Sequence, residues 1–382
     1  MKEIQLHEDS IISPLGFSTE ENLEAIKAGK SGLQSHENPR FNEGALYAGI
    51  IDPEILASKF SKIGNPLKFT KLEQMMLLAI NGVLKKNCKI DLSTTGLIIS
   101  STKGNIDLLQ NIQGFPEERA SLNSLAKVIQ NFFNFKMKPI VVSNACISGG
   151  LAVVIAKRFI EAEKMDSALV VAGDLVSNFV FSGFQSFNAL SNVPCKPFSK
   201  GRNGISLGEA AAAVYVSNTS SKSGPSVSLI GDATANDANH ISGPSRTGEG
   251  LFKSIESALA DSKIDRNEIS YISAHGTGTL FNDEMEAIAF NRAGLESVPV
   301  NSFKGYYGHT LGASALIETI LTKYSLLNKE LYPSLNFREI GVSKELNVIQ
   351  HLEKKDFKYA LKTASGFGGC NLAMVFKKVD NG

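Results

Sequence analysis

What most constrains this chain is the repeated alternation of short apolar runs with longer segments of helical period. Residues 95–100 (TGLIIS), 139–143 (PIVVS), 168–173 (ALVVAG), 227–231 (VSLIG), 269–274 (ISYISA) and 298–300 (VPV) are apolar through most of their length. Runs of this kind suit strands covered on both faces. Residues 71–86, 121–133, 147–163, 248–262, 283–293 and 312–327 read as helices between them. The alternation implies an α/β architecture with helices covering the sheet. Residues 361–366 and 371–377 read as a closing hairpin joined by a glycine turn.

Two stretches echo each other. PIVVSNACISGGLAVVIAKRFI in the first half and VPVNSFKGYYGHTLGASALIETIL in the second both run from a buried strand through a reactive loop into a helix that opens on small residues. The linker-like stretch, residues 217–226 (SNTSSKSGPS), is polar and rich in turn formers. A duplicated α/β unit, residues 1–222 and 223–382, is the simplest reading; two unrelated α/β halves are the alternative.

Several classes fall away. The 39 Lys and Arg balance 38 Asp and Glu, so the general basic surface that nucleic-acid binding needs is missing. No apolar run reaches the roughly 18 residues of a membrane span. The start, MKEIQLHEDSIIS, has no secretory core. Four scattered cysteines, at 88, 146, 195 and 370, form no CxxC pair. Neither a zinc knuckle nor a disulfide scaffold is expected, and a reducing cytoplasm is.

Four motifs carry chemistry. Cys146, in SNACISGG, sits between a strand and a helix start, where free N–H groups and the helix dipole favour a thiolate. Ser148, Gly149 and Gly150 after it allow a backbone or a ligand to come close. His275, in AHGTGT, leaves a strand end, where α/β proteins build sites, and Thr277 and Thr279 offer hydroxyls. Lys304 and His309, in KGYYGHTLGA, share one tight loop, and a neutral imidazole there can donate to an oxyanion. Phe367 stands in the turn ASGFGGCN, whose backbone N–H could do the same. Inert readings exist for each: a buried structural cysteine, a surface-loop histidine, a solvated basic loop, a plain hairpin turn.

Together, NACISGG, AHGTGT, KGYYGHTLGA and GFGGCN resemble the β-ketoacyl-acyl-carrier-protein synthases of the thiolase superfamily, closest to the elongating, decarboxylating Cys-His-His branch. The resemblance spans nearly the whole chain in the family's motif order. It implies a thiolase-like fold, two similar α/β halves in a layered α-β-α-β-α sandwich. By position, Cys146 would hold the acyl chain, and His275 and His309 would serve decarboxylation and condensation. Lys304 would brace the site, with Glu286 as the acid interacting with it. Thr277 and Thr279 would bind the phosphopantetheine arm, Phe367 would gate the site, and the N–H groups of Phe367 and Cys146 would form an oxyanion hole. Lys103 would lie near the acyl pocket.

The resemblance implies no organic cofactor and no metal ligand set, since acyl and malonyl groups arrive on the carrier's phosphopantetheine. A monovalent cation near Asn301 and Glu286 stays open. The expected partners are an acyl carrier protein, drawn to basic residues such as Lys200, Arg202 and Arg246, and a second subunit in a homodimer or a heterodimer with a relative. The rival reading is a non-catalytic, chain-length-factor-like subunit, against which Cys146 argues. Departures such as Lys103 and Asn144 suggest a specialised synthase, for polyene or pigment-like lipids, rather than a housekeeping one.

Overall fold

The computed structural model describes residues 3–36, 46–110, 114–219, 224–241 and 243–380. Ten strands form its main sheet. The first half supplies β1 (Ile4–Ile12), β2 (Gly96–Ser100), β3 (Ile140–Val142), β4 (Ser167–Asp174) and β5 (Ala210–Ser217). The second half supplies β6 (Ser226–Asn236), β7 (Ile269–Ser273), β8 (Val300–Asn301), β9 (Tyr359–Ser365) and β10 (Cys370–Val379). The spatial order is β8-β7-β9-β10-β6-β1-β5-β4-β2-β3.

Read outward from the centre, the two halves are the same. In the first, β2 runs parallel to β3 and β4, β4 antiparallel to β5, and β5 antiparallel to β1. In the second, β7 runs parallel to β8 and β9, β9 antiparallel to β10, and β10 antiparallel to β6. The antiparallel pair β1–β6 joins them. The echoing stretches of the sequence are equivalent parts of the two units, each covering the outermost strand and the helix after it. The expected boundary, 222/223, falls among residues 220–223, outside the described residues.

Side-chain alternation sets the layers. Ile98 of β2, Val170 of β4 and Ala212 and Val214 of β5 face inward, as do Ala360 and Ala364 of β9 and Leu372 and Met374 of β10. They close on two central helices, α3 (Ser148–Glu161) and α7 (Ser314–Asn328). The neighbouring residues Leu97, Ile99, Leu169, Val171, Ala211 and Ala213 face α1 (Lys71–Lys86) and α2 (Leu122–Phe133). Leu361, Ala373 and Val375 face α5 (Glu249–Ser262) and α6 (Leu280–Arg292) on the far side. This is the five-layer α-β-α-β-α sandwich. Because helices cover both faces, the strands read as continuous apolar runs.

The outermost strands β3 and β8 are shorter than their apolar runs suggested; beyond β8 the sheet continues only as an isolated bridge from Val300 to Val348. A helix absent from the sequence reading, α4 (Asn178–Ser186), follows β4, capped by the Ser177 side chain on Val180 N.

The small residues after Cys146 serve helix packing. A Cβ at Gly149 would lie 2.6 Å from the Gly312 carbonyl oxygen, and one at Gly150 2.6 Å from Leu372. Only glycine lets α3 approach the start of α7 so closely. That approach brings the reactive loop of one half against that of the other.

Candidate active site

Each reactive residue sits at a strand end or a helix start on this shared seam. Cys146 lies between β3 and α3, His275 follows β7, Lys304 and His309 lie between β8 and α7, and Phe367 is in the β9–β10 turn. Ala145, just before the thiol, holds φ at 43°, a left-handed conformation that turns the chain sharply into Cys146. The Cys146 sulfur and one nitrogen from each of His275 and His309 lie within 4.8 Å of one another. The two imidazole rings meet edge to face, with centroids 5.1 Å apart.

The thiol differs from expectation. Burial pushes Cys146 up to about 12, the Cys370 thiol adds to this, and Lys304, the Phe367 N–H and Lys103 only partly offset it. The free N–H groups at the start of α3 do not outweigh the loss of water, so the resting sulfur is a thiol.

The histidines are held neutral. Burial first, then the Lys304 ammonium, keeps both well below the ordinary imidazole value. Leu311 N–H donates to Nδ1 of His309 (3.1 Å), and Ser314 Oγ lies 3.0 Å from the same nitrogen. Lys304 Nζ lies 3.2 Å from Nδ1 of His275 and donates to the His275 carbonyl oxygen at 2.6 Å. With Nδ1 accepting in both rings, each neutral imidazole carries its proton on Nε2.

Lys304, fully buried, pairs with Glu318 of α7 at 2.8 Å. The acid expected in this place, Glu286, has another task. Its Oε1 accepts from His275 N (2.8 Å), and its Oε2 from Gly276 N (2.7 Å) and Asn282 Nδ2 (2.8 Å). One helical turn earlier, Asp283 accepts from Thr277 N (2.9 Å), Gly278 N (3.1 Å) and Phe198 N (2.7 Å). The two carboxylates of α6 thus hold the AHGTGT loop by its backbone. Burial, then Asp283, raises Glu286 to about 7 against the pull of the two backbone donors.

Asp283 and Glu318 were missed in the sequence reading. An i, i+3 acid pair just after a glycine-rich loop is a usable signal, as is the lone acid within the apolar helix SALIETILTKY. Asn301 and Glu286 do not fit a cation. The Asn301 Oδ1 accepts from the Tyr271 hydroxyl at 2.8 Å, its Nδ2 donates to Tyr332 O at 2.9 Å, and Glu286 is filled by N–H donors.

A cavity of about 280 Å³ opens from Cys146, His275 and His309 to the surface past Thr277 and Thr279. The two threonine hydroxyls lie 2.9 Å apart. Phe367 is flanked by Phe184 of α4 and by Phe187, with ring centroids 5.4 and 5.3 Å away. Neither of these aromatics was singled out from sequence. The outer lining includes Ile241 and Phe281, each more than two-thirds exposed. Gly366 brings the turn onto the thiol loop, since a Cβ there would lie 3.0 Å from Cys146 N and 2.9 Å from Cys370 Sγ.

Lys103 is exposed and lies outside the lining of this cavity, yet close enough for its charge to act on Cys146. One expectation is corrected. Arg202 is buried, donating to the carbonyls of Thr279 (3.2 Å), Leu280 (3.2 Å) and Gly341, so it fastens the loop rather than meeting a partner. Lys200 and Arg246 are exposed, the former paired with Glu339.

A fold doubled in this way, with a cysteine on one half and two neutral histidines on the other, defines a thiolase-like condensing acyltransferase. Residues 9–222 match the family described as beta-ketoacyl synthase, N-terminal domain, and residues 227–338 the corresponding C-terminal domain. The chain belongs to the β-ketoacyl synthase family. It is 25% identical over 401 residues to the 3-oxoacyl-[acyl-carrier-protein] synthase 2 of Vibrio harveyi, covering 97% of each chain. It is 24% identical over 425 residues to a putative mitochondrial 3-oxoacyl-[acyl-carrier-protein] synthase of Schizosaccharomyces pombe, covering 99% of each. Among solved structures, a ketosynthase in complex with its chain length factor from Xenorhabdus doucetiae superposes with a TM-score of 0.87 at 22% identity, over 99% of this chain and 98% of that one. A beta-ketoacyl synthase of Burkholderia phymatum gives 0.86 at 22%, over 99% and 100%.

Proposed function

We propose that the protein is an active 3-oxoacyl-[acyl-carrier-protein] synthase, joining a malonyl unit to an acyl chain held on Cys146. The observation that carries this is the pair of imidazoles, both neutral and both with Nδ1 accepting, beside one thiol.

An acyl thioester delivered on a carrier's phosphopantetheine arm passes Thr277 and Thr279, and its carbonyl carbon bonds to the Cys146 sulfur. The carrier thiolate leaves and takes up the thiol proton. The tetrahedral oxyanion is stabilised by the N–H groups of Cys146 and Phe367. A malonyl thioester then sets its carbonyl oxygen against the two Nε2–H groups. The bond to the carboxylate breaks, carbon dioxide leaves, and the electron pair becomes an enolate. One such donor lowers the barrier by on the order of 3 kcal/mol. The enolate carbon attacks the acyl carbon, the carbon–sulfur bond breaks, and the departing Cys146 thiolate takes up a proton from solvent to restore the thiol. Release of carbon dioxide drives the step, so the chemistry asks for no strong base, organic cofactor or metal.

Lys304 keeps His275 in the donating tautomer, Glu318 balances that lysine, and Glu286 and Asp283 hold the loop. Phe367, between Phe184 and Phe187, gates the thiol. The two halves, 1–222 and 223–382, are read as products of one duplication, supported by their identical strand order.

The carrier is a partner in this reading, and Lys200 and Arg246 stay candidates for meeting its acidic surface. A second subunit, a copy of this chain or a relative, is also expected; the structural neighbour solved with a chain length factor supports a paired assembly. No helix among the described residues is long and apolar enough to cross a membrane. Four free cysteines suit a reducing cytoplasm. Specialisation toward polyene or pigment-like chains is retained, resting on Asn144 and on the aromatic pair around Phe367.

The test is direct. Incubation with acyl-carrier protein should add the acyl mass to Cys146, and malonyl-carrier should then yield 3-oxoacyl-carrier. An unacylated Cys146, or an adduct that persists in Cys146→Ala, would sink the reading. Equal use of ordinary saturated chains of many lengths would remove the specialisation.

A further inference from the structure

A second lysine lies behind the catalytic centre. Lys362 of β9 is fully buried. Its strand runs parallel to β7, with Lys362 in register opposite Ser273, two residues before His275. Its Nζ donates to the Ser273 carbonyl oxygen at 3.2 Å and to the Thr363 carbonyl oxygen, and lies 2.9 Å from Oε2 of Glu318. Three oxygens around one nitrogen call for three N–H groups, which an ammonium has and a neutral amine lacks.

The surroundings are those of an oxygen cage. Glu318 Oε2 has no hydrogen bond of good geometry among the described residues, so the ammonium beside it supplies its charge balance. The hydroxyls of Ser273 and Thr363 are likewise buried without a hydrogen bond of good geometry among the described residues. Glu318 therefore stands between two cations. Its Oε1 meets Lys304 at 2.8 Å and its Oε2 meets Lys362. Removing the charge of Lys362 would leave half of that carboxylate uncompensated in a dry interior, which is costly.

We propose that the Lys362 ammonium is the built-in cation of this active centre, filling an oxygen cage suited to a monovalent ion and holding, through Glu318 and Lys304, the His275 imidazole in its working position. Lys362 is a positioning residue in this scheme, since it acts on the reacting groups through two others. The inference rests on the condensing activity proposed above for its kinetic readout, but not for its thermal one.

The experiment compares the full-length protein with Lys362→Ala and Lys362→Met in choline, potassium and ammonium chloride, reading condensation kinetics and melting temperature. The parent should be indifferent to the cation. Lys362→Ala in choline should lose about 10–100-fold in kcat, as loss of an outer-shell partner does, with KM for the malonyl carrier little changed. Potassium or ammonium should restore the rate saturably and raise the melting temperature. Lys362→Met, whose side chain fills the cage, should stay impaired in all three salts.

A parent that itself requires potassium would overturn the proposal, and this arm holds even where the variants fail to fold. So would an alanine variant with parental kcat in choline, one that no small cation improves, or a methionine variant rescued equally well. A parent without condensing activity would count against the functional reading alone, leaving the melting temperatures to judge the cation.

Discussion

Lys304 binds His275 twice, donating to its carbonyl oxygen at 2.6 Å and lying 3.2 Å from its Nδ1. One ammonium thereby sets both the place of the ring and its tautomer. The His309 ring, 5.1 Å away between centroids, reaches the same tautomer through the Leu311 N–H. The two imidazoles are thus tuned by different devices toward one property, a neutral N–H donor aimed at the same space.

This division of labour predicts a split in His309→Ala. Decarboxylation and condensation should fall about 10²–10³-fold, the cost of one lost donor to a developing oxyanion. Acyl loading of Cys146 should fall much less, because its oxyanion is met by backbone N–H groups. Carbon dioxide release and the acyl mass adduct, measured on the same sample, check this; equal loss of both would contradict the role.

The pH profile should carry a shifted acid limb. Burial and Lys304 hold both histidines well below the ordinary 6.5. Condensation should stay level as pH falls through 6.5 and decline only in more acidic solution. Lys304→Met removes a positive charge, so the limb should move up toward 6.5. Stability follows the same sign: the unfolded chain takes up protons below about 6.5 while the folded rings resist, so the histidine contribution is full above 6.5 and is lost as pH falls from there. Glu286, raised to about 7, gains protons on folding in the same window with the opposite sign, so the histidine contribution is read as the difference between denaturant melts of the parent and of His309→Ala from pH 7.5 to 5.

Glu318→Gln should destabilise the protein by about 3–5 kcal/mol, the cost of leaving a buried charge without its partner. Two lysines lose their shared carboxylate, so the effect should exceed that of Glu249→Gln, a surface acid paired with Arg292. Chemical denaturation of the two variants gives the comparison, and similar midpoints would refute it.

Gly366→Ala should disable loading while leaving the fold intact. Its Cβ would press on Cys146 N at 3.0 Å and on Cys370 Sγ at 2.9 Å. A shift of about 1 Å at the nucleophile costs on the order of 10²-fold. The double variant with Cys370→Ala relieves one of the two contacts and should recover part of the rate. Stopped-flow acylation and circular dichroism test both halves of the claim.

The strands and helices that surround the seam were readable because burial on both faces leaves continuous apolar runs, and because helical period survives in the helices between them. Cys146, His275, Lys304 and His309 were readable because each sits in a short motif at a strand end. Glu286 was placed at the wrong task, since position along the chain does not say which of two acids reaches a lysine. Arg202 was misplaced because a basic side chain looks the same in sequence whether it is exposed or buried.

By itself the sequence determined the α/β class, the candidate reactive groups and the family. Periodicity and local motifs are near-neighbour properties, and a chain records them directly. Only the tertiary structure decided that Glu318 rather than Glu286 neutralises Lys304, that burial raises the Cys146 thiol, and that Lys362 stands behind both. Those facts depend on distances between residues 14 to over 200 positions apart, such as Lys304 to Glu318 and Cys146 to Cys370. They depend also on how far water is excluded, which appears only when the two halves close on each other.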